Sequence, residues 1–382
     1  MSRSPLARSG AAAGATAIAL LALTACGSSG GAAADGRPLV TVKLTDQGCE
    51  PDVTSVPAGP VGFKVVNTGT SRISEAELLK GSRILGEREN VAAGLSASFS
   101  LSLEAGTYQL YCPGGKGPEK VDFTVTGAAP TVATTGAAAL QQASADYATY
   151  VKQQVAQLVT TTRKLTDAVR GGNVAAAKQA YAPARVYYER IEPVAESFGD
   201  LDPDIDAREG DVDDLSKWGG FHRLEKALWV DGSTSGMAPI ADGLDTNVAK
   251  LNTLVQTETF QPAAIANGAT ALLDEVGQSK ITGEEENYSH IDLVDFVANV
   301  DGAQQAFAVL EPALQQIKPS LAATVDQRFQ ALKAALDKFH TGSTASDYAN
   351  YSTVTEPQRR ALSQLVDALA EPLSQVAGTV VS

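Results

Sequence analysis

The sequence predicts a protein of two folded domains, a small antiparallel β-sandwich of Greek-key type followed by a larger all-α helical bundle. Three observations lead to this fold class. At 382 residues the chain is too long for one ordinary hydrophobic core. Between residues 39 and 127, apolar and polar side chains alternate in short runs that are separated by Gly, Pro and Asn. From residue 140 to 382, apolar residues recur at spacings of three and four in long segments rich in Ala, Leu, Gln and Lys.

The acidic composition excludes one class of partner. The chain has 44 Asp and Glu against 30 Lys and Arg, and its formal net charge is −14. A nucleic-acid-binding protein needs a basic face for the phosphates, so we expect no nucleic acid partner. Acidic clefts favour cations instead.

Residues 1–25 are typical of a secretory signal peptide. Arg3 and Arg8 precede the apolar run AIALLALTA, which is too short to span a bilayer as a stable helix. The segment LTAC that ends at Cys26 resembles the lipobox of bacterial lipoproteins, which implies acylation of Cys26 and anchoring at the outer face of the cell membrane. A plain signal peptide cleaved nearby is the alternative. Residues 26–38 then read as a flexible tether.

The segment from 39 to 127 contains four landmarks, QGCEP at 47–51, EAELLKG at 75–81, EREN at 87–90 and GTYQLYC at 106–112. In these landmarks it resembles the cupredoxin-like domain at the N-terminus of EfeO-type iron-uptake proteins. A blue-copper site needs two His and a Cys thiolate, but the histidines of the chain all lie beyond this domain. Ordinary blue-copper electron transfer is therefore excluded.

Two interpretations of the cysteines in this domain remain open. The resemblance implies an unusual metal site at Cys49, Glu75 and Cys112. If Cys26 carries lipid, however, Cys49 and Cys112 are an even pair in an oxidising compartment. We favour a disulfide between them.

Residues 128–139 are rich in Ala, Thr and Pro, lack any periodicity, and are predicted to form the interdomain linker. About eight helices are expected in the second domain, in two packed bundles. Proline and glycine clusters separate them. The predicted helices span residues 140–169, 173–198, 213–230, 238–256, 260–276, 289–316, 319–339 and 354–376.

The motif WGGFHRLEKALW, residues 218–229, contains the strongest candidate site. His222 and Glu225 are three residues apart, so a helix presents both side chains on one face. A neutral imidazole beside a carboxylate is a two-atom ligand for a hard or borderline divalent cation. A buried, hydrogen-bonded core histidine is the alternative, although burying an unpaired carboxylate next to it would be costly.

Further carboxylates that could complete a metal site lie on three other segments, at Glu189 and Glu192, at Asp206, and at Glu285 and Glu286. The first two share one face of a helix that a following proline should bend, and a solvated acidic stripe is by itself the more ordinary explanation of them. The aspartate lies in a turn-rich connection, where helix capping or an ion pair is the ordinary explanation. The last pair precedes a helix capping box.

Together these motifs resemble the imelysin-like domain, a helical family with a GxHxxE signature that includes EfeO-type proteins. The matching segments are YERIEPVAE, DIDAR, GFHRLEKALW and YSHIDLVDFVANVDGA. The signature glycine is Gly220, which would let another helix approach closely. The resemblance implies metal-ligand roles for His222 and Glu225, and also for Glu189, Glu192, Asp206 and one of Glu285 or Glu286.

The function that the resemblance implies is that of an extracytoplasmic, lipid-anchored component of an Efe-type iron-uptake system. Such a protein captures Fe2+ or Fe3+ and delivers it to a membrane permease, with a haem-type peroxidase as a further partner. We expect no enzymatic activity. Zinc and copper remain alternative metals, because an imidazole with carboxylates does not select iron by itself.

Two other functions stay open. Imelysin-like proteins have been classed with metallopeptidases, but HExxH is absent, so a two-histidine zinc site would need His290 beside His222. His340 is the only other imidazole. A carbohydrate-binding lipoprotein would instead need a groove with exposed aromatic side chains. The aromatic candidates for it are Tyr147, Tyr150, Tyr181, Tyr187 and Tyr188.

Overall fold

The computed structural model describes residues 31–32, 36–129 and 135–381. The signal peptide and Cys26 lie outside these residues, as do most of the tether and the centre of the linker. None of the helices in the described ranges combines the length and the apolar character that a membrane span requires.

Two five-stranded sheets form the first domain in the described part of the chain, and the predicted fold class is confirmed. One sheet has the order β1-β2-β5-β8 with β3 paired to β2, and the other has the order β4-β10-β9-β6-β7. The strands are β1 (Gly31–Ala32), β2 (Pro38–Thr45), β3 (Gly48–Pro51), β4 (Ser55–Pro57), β5 (Gly59–Asn67), β6 (Ala76–Lys80), β7 (Arg83–Arg88), β8 (Ser96–Leu103), β9 (Gly106–Tyr111) and β10 (Lys120–Thr126).

The alternating pattern gives the sandwich its core. Val40, Val42 and Leu44 of β2 all point inward and are fully buried. In the same core, the ring of Phe63 on β5 stacks on the ring of Phe99 on β8, with centroids 4.8 Å apart. Alternate residues of each strand therefore fill the space between the two sheets, as the period-two pattern predicts.

Two details of the sandwich differ from the sequence-based expectation. The pairs β2 with β5 and β4 with β10 are parallel, whereas an antiparallel sandwich was expected. Alternation reports which face is buried and carries no information on strand direction, so it could not reveal this. In addition, β1 lies within the segment expected to be a flexible tether, where it pairs with the start of β2.

The second domain contains nine α-helices in its described residues. The longest, α1, buries Tyr147, Val151, Val155 and Leu158 along one face at spacings of three and four. It packs along α2, α5 and α7. The helices are α1 (Ala137–Arg170), α2 (Val174–Glu189), α3 (Leu201–Asp206), α4 (Gly220–Trp229), α5 (Ala238–Leu254), α6 (Pro262–Gln278), α7 (Asp292–Ile317), α8 (Pro319–Leu336) and α9 (Glu356–Val380).

The helix boundaries depart from the predictions mainly around the acidic segments. The helix predicted over 173–198 ends at Glu189, and a 3₁₀ segment, Glu192–Phe198, follows it. Pro193 has no backbone N–H to continue the α-helical bonding, so the helix ends before it and does not merely bend. The helix predicted from residue 213 begins only at Gly220. The segment predicted to be a loop after residue 200 contains the short helix α3.

Helix α6 joins the two domains. The Nδ2 atom of Asn267 donates a hydrogen bond of 2.8 Å to the Ser100 carbonyl on β8. Ala264, one turn earlier, packs against the sandwich core. Beside the helix, Arg83 of β7 forms an ion pair of 2.5 Å with Glu258. The sandwich is thus attached along the side of α6.

Candidate metal centre

A close contact at Gly220 brings the first two site residues together. Gly220 has φ +74, and a Cβ added there would lie 2.2 Å from the carbonyl oxygen of Ile205. Only glycine fits this position, because both the left-handed backbone and the contact exclude a side chain. The start of α4 therefore lies against the end of α3, whose last residue is Asp206. The expectation that another helix approaches the signature glycine is confirmed.

His222 and Glu225 project from α4 into the protein interior. His222 is 1 % exposed and Glu225 is fully buried. Glu225 Oε1 accepts hydrogen bonds from the backbone N–H groups of Tyr288 and Ser289, at 2.9 and 2.7 Å. Its other oxygen, Oε2, lies 3.4 Å from His222 Nδ1. One carboxylate thus fixes the segment before α7 onto α4 and orients the imidazole.

The other ring nitrogen, His222 Nε2, is buried and has no hydrogen-bond partner. It lies 3.6 Å from Asp206 Oδ1 and 3.7 Å from Glu285 Oε1, which is too far for hydrogen bonds. Two ligand atoms that each bind one ion at about 2.1 Å lie roughly 3 to 4 Å apart, and these distances fit that range.

The electrostatics of this group favour a bound proton or cation. Burial disfavours the imidazolium, but Asp206, Glu225 and Glu285 outweigh it and raise the pKa of His222 to about 10. Burial also raises the pKa of Asp206 to about 7, although Arg185 and His222 oppose this shift. Glu285 is buried too, yet Lys280, His222 and Arg185 hold the pKa of its carboxyl well below the usual range.

Three groups of close ligand atoms occur among the described residues. All three lie in the helical domain, and two of them share His222 through its opposite ring nitrogens. Within each group, the ligand atoms lie within 4.8 Å of one another. The groups are Asp206 with His222 and Glu285, His222 with Glu225 and Glu286, and Glu189 with Glu285 and Asp295.

The third group is already occupied by an internal cation. The guanidinium of Arg185, which is fully buried, has its Nη2 atom in ion pairs with Glu189, with Glu285 at 3.3 Å and with Asp295 at 3.0 Å. Its Nη1 atom pairs with Asp206. Arg185 therefore compensates the carboxylates of the third group, and it also contacts both carboxylates of the first group, Asp206 and Glu285, since a planar five-donor group suits several carboxylates at once.

The second group is engaged in hydrogen bonds and in an ion pair with Arg185. Glu286 Oε2 accepts a 2.8 Å hydrogen bond from Ser289 Oγ, and Oε1 accepts one of 3.2 Å from the Tyr181 hydroxyl. Burial, together with the charges of Glu225 and Asp295, raises the pKa of Glu286 well above its usual value. This shift disfavours the ionised form of Glu286, which is the form that binds a metal, although Arg185 Nε pairs with its Oε1 atom at 3.0 Å.

Glu192 lies away from His222. Among the described residues, its carboxylate is in none of the three groups of ligand atoms. It pairs instead with Lys280 and accepts a hydrogen bond from Asn299 Nδ2. Glu189, also expected near His222, lies with Arg185 in the third group. The structure therefore brings Asp206, Glu285, Glu225 and Glu286 to His222, but neither carboxylate of the 189–192 segment.

Sequence reasoning missed the two buried cations and one carboxylate. Arg185 precedes Glu189 by four residues, so helical spacing could have placed both on one face. Asp295 shares a predicted helix face with Asp292 and Asn299, but capping explains only the first of these. Lys280 gave no signal, because it follows α6 in a loop-like stretch with no motif around it.

In the first domain the two cysteines form a disulfide, Cys49–Cys112. Neither sulfur is then available as a thiolate, so this state of the domain does not offer the Cys49, Glu75 and Cys112 metal site. Burial raises the pKa of Glu75, which shares a hydrogen bond with Glu89. Burial and the neighbouring Glu75 raise the pKa of Glu89 to about 8.

The residues needed by the two alternative functions lie elsewhere. His290 and His340 are both exposed, and neither joins a group of close ligand atoms in the described ranges. The two-histidine zinc site is therefore not assembled. For a sugar-binding groove, Tyr147, Tyr181 and Tyr188 would have to be exposed, but all three are buried in the helical core. These three tyrosines serve helix packing, so they do not support the sugar-binding alternative.

The same architecture is found in known proteins. The imelysin family model matches residues 143–376, and the cupredoxin-like domain model matches residues 16–119. The first match covers more than half of the chain and contains His222 with all its carboxylate neighbours. The chain belongs to the imelysin family.

Curated relatives extend the similarity to both domains. The iron uptake system component EfeO of Escherichia coli O6:H1 is 41% identical over 348 residues, covering 90% of this chain and 92% of the relative. The proteins of the same name from E. coli K12 and Shigella flexneri are equally similar. A crystal structure from Parabacteroides distasonis, named as an iron-regulated protein A precursor, superposes with a TM-score of 0.51 at 18% identity. It covers 66% of this chain and 97% of that one, and at this identity it shows the fold alone.

Proposed function

We propose that this imelysin-family chain is the extracytoplasmic, lipid-anchored iron-binding component of an iron-uptake system, and that it delivers its ion to a membrane permease. Iron binds His222 Nε2, Asp206 and Glu285, the first of the three groups described above. The names of the relatives support iron as the cargo. The ligands alone would accept Mn2+ or Zn2+ as well.

The buried, unpartnered Nε2 atom of His222 is the observation that carries this assignment. A buried polar atom without a partner is costly, and a cation between it and two carboxylates would remove that cost. The group combines one imidazole with two carboxylates, which is a ligand set that iron accepts. It also leaves positions for water or other ligands, as an ion that must be passed on requires.

Glu225 acts on this site through His222. Metal-bound histidines commonly donate their second N–H to a carboxylate, which fixes the tautomer and makes the metal-bound nitrogen more basic. Glu225 Oε2 lies beside Nδ1, so Nε2 is left to bind the ion. In this assignment Glu225 is a positioning residue, and the HxxE motif supplies one ligand together with its orienting carboxylate.

Hydrolysis is less well supported than binding. A peptidase needs a metal-bound water and a general base beside an open substrate cleft. Here the side chains of His222, Glu285 and Asp206 are 2 %, 5 % and 11 % exposed. A polypeptide substrate could not reach an ion held among them without a large rearrangement, whereas an ion alone could.

Calorimetric titration of Fe2+ under anaerobic conditions tests the site. The protein is a soluble variant that begins after Cys26, compared with His222→Ala and with His290→Ala as the matched control. We expect one ion bound by the parent and by the control, and loss of that binding in His222→Ala. Equal binding by all three proteins would contradict the assignment.

The anchor and the delivery step have separate tests. Cys26→Ser should release the protein from the membrane fraction, since the acylated sulfur would be lost. Cells that carry His222→Ala at the native locus should take up less radiolabelled iron at limiting concentrations than cells that carry His290→Ala. If uptake depended on Cys26 but not on His222, the anchor would be needed for uptake and the proposed iron site would not.

A further inference from the structure

Lys280 places a second internal cation beside the proposed iron site. It follows α6 directly, in a 3₁₀ turn of residues Lys280–Thr282, and its side chain is 3 % exposed. Its Nζ atom forms the closest pair with Glu192. Three further carboxylates lie within 4.0 Å: Glu189 at 3.6 Å, Glu285 at 3.6 Å and Glu275 at 4.0 Å. A buried ammonium in such surroundings keeps its charge.

Glu285 Oε1 links this ammonium to the iron site. The same oxygen atom lies 3.6 Å from Lys280 Nζ and 3.7 Å from His222 Nε2. An ion bound at His222 would therefore share this carboxylate ligand with Lys280. Arg185 and Arg208 contact the same carboxylate, with Arg185 Nη2 at 3.3 Å from Oε1 and Arg208 Nη1 at 3.2 Å from Oε2. The Lys280 ammonium and the bound ion would then contact the same carboxylate from two sides. Such a positive charge weakens the binding of a cation, because two charges of like sign repel strongly in a poorly hydrated interior.

The two internal cations, Arg185 and Lys280, differ in how easily they can release a paired carboxylate. The guanidinium of Arg185 is held by several carboxylates on α2, α3 and α7, in a fixed planar arrangement. The Lys280 ammonium is a point charge at the end of a flexible side chain, and the backbone of this residue lies in the turn between α6 and α7. Lys280 can thus give up Glu285 and keep Glu192, whereas Arg185 has no comparable freedom.

We propose that Lys280 sets the affinity of the iron site by competing with the bound ion for Glu285, which holds the cargo loosely enough to be passed on. This proposal rests on the proposed function, since it concerns the same site. A purely structural lysine would behave differently. Its removal would lower the stability of the protein and the affinity for metal together, whereas loss of a competing charge lowers the first and raises the second.

The experiment measures metal affinity and metal-free stability in matched variants. Mn2+ serves as an air-stable ion with similar ligand preferences, and iron is tested afterwards under anaerobic conditions. Lys280→Met removes the charge at similar length, and Lys280→Arg keeps it. The control is Lys333→Met, which removes a lysine paired with Asp301 on α7.

For Lys280→Met we expect on the order of tenfold tighter Mn2+ binding and slower release to a chelator. The metal-free variant should unfold at lower urea concentration than the parent. Lys280→Arg should resemble the parent more than the Met variant does, and Lys333→Met should leave the affinity unchanged. Unchanged or weaker Mn2+ binding by Lys280→Met would overturn the proposal.

Failure of Lys280→Met to fold, and metal binding that does not need His222, would also be informative. If Lys280→Met does not fold, Lys280→Met with Glu275→Gln removes one charge of each sign, and tighter Mn2+ binding is expected from it too. Recovery of the single variant only when Mn2+ is present during refolding would support the proposal, and failure with and without Mn2+ would count against it. Binding that survives in His222→Ala would refute the proposed iron site itself, whatever Lys280 does.

Discussion

Glu225 Oε2 lies 3.4 Å from His222 Nδ1, while Oε1 of the same carboxylate accepts hydrogen bonds from two backbone N–H groups. Glu225→Gln separates these two functions. The amide oxygen can still accept the backbone hydrogen bonds, but the amide nitrogen then faces Nδ1 and makes it an acceptor, which places the proton on Nε2. We expect metal affinity to fall by about 10- to 100-fold with little loss of stability.

Titration calorimetry and urea unfolding check this prediction together. Glu225→Ala is the contrasting variant, because it leaves the two buried N–H groups without acceptors and should destabilise the protein by about 1–3 kcal/mol. If Glu225→Gln bound metal as tightly as the parent, Nδ1 orientation would not matter and the role assigned to Glu225 would be wrong.

Metal affinity should rise with pH. The neighbouring carboxylates, acting against burial, raise the pKa of His222 to about 10, so below that pH the metal-free imidazole carries a proton that must leave when an ion binds. Affinity should therefore increase about tenfold per pH unit above neutrality. Below about pH 7 the dependence should steepen, because burial raises the pKa of Asp206 to about 7 and a second proton must leave.

Calorimetry of Mn2+ binding in two buffers with different ionisation enthalpies gives both the affinity and the number of protons released. Near pH 8 we expect close to one proton per ion, rising toward two near pH 6. A flat affinity and no proton release across this range would show that Nε2 is not the ligand.

Gly220→Ala should be strongly destabilising, although it removes no functional group. The new Cβ would lie 2.2 Å from the Ile205 carbonyl oxygen, and the residue would have to keep φ at +74. Strain and overpacking together predict a loss of about 2–5 kcal/mol. Gly219→Ala is the adjacent control, because Gly219 has extended backbone and open space around its Cα.

Urea unfolding followed by tryptophan fluorescence measures both variants, since Trp218 and Trp229 lie at the two ends of the motif. Gly219→Ala should stay within about 0.5 kcal/mol of the parent. Equal stability of the two variants would mean that α3 moves away at no cost.

Arg185→Met should destabilise the metal-free protein by about 3–5 kcal/mol, because buried carboxylates on three helices would lose their shared counter-charge. Arg170→Met is the comparison. Arg170 also pairs with several aspartates, but at the surface, where such pairs contribute at most about 1 kcal/mol. Unfolding of both variants at the same urea concentration would contradict the structural role of Arg185.

The Cys49–Cys112 disulfide should stabilise mainly the sandwich. It connects residues 63 positions apart, a separation for which loop-closure entropy gives about 4 kcal/mol. Reduction should shift the unfolding transition seen by circular dichroism of the strands more than the tryptophan transition, since both tryptophans lie in the helical domain. A thiol count in non-reducing denaturant should find none in a variant that begins after Cys26, and two free thiols would restore the metal-site interpretation.

The sequence predicted the fold class and most helix boundaries because these depend on local periodicity. Periodicity fails where the chain turns back on itself. Residues 190–220 contain two prolines, several aspartates and four glycines, and their conformation is decided by contacts such as that of Gly220 with Ile205. Parallel strand pairs were missed for a similar reason, since strand direction depends on how distant segments connect.

The candidate site was predictable in its histidine and less so in its surroundings. His222 with Glu225 is a motif on one helix, and helical spacing reveals it. The partition of the remaining carboxylates between metal and protein cations depends on Arg185 and Lys280, which reach the cluster from elements far apart in sequence. Glu192 illustrates the difference, because it lies on the expected acidic segment but its carboxylate pairs with Lys280.

Helix α6 has a consequence for anyone who wishes to study the halves separately. One side of it supports the sandwich through Asn267 and Ala264, and the chain reaches Lys280 two residues after its last turn. Cutting the chain in the linker before α1 would remove the sandwich from that side of α6. Apolar surface would then be exposed on the helix that precedes Lys280 and the buried carboxylates. Each half is a recognisable module of sequence, but the helical half owes part of its shape to its neighbour. The metal affinity of a truncated protein would therefore differ from that of the whole chain.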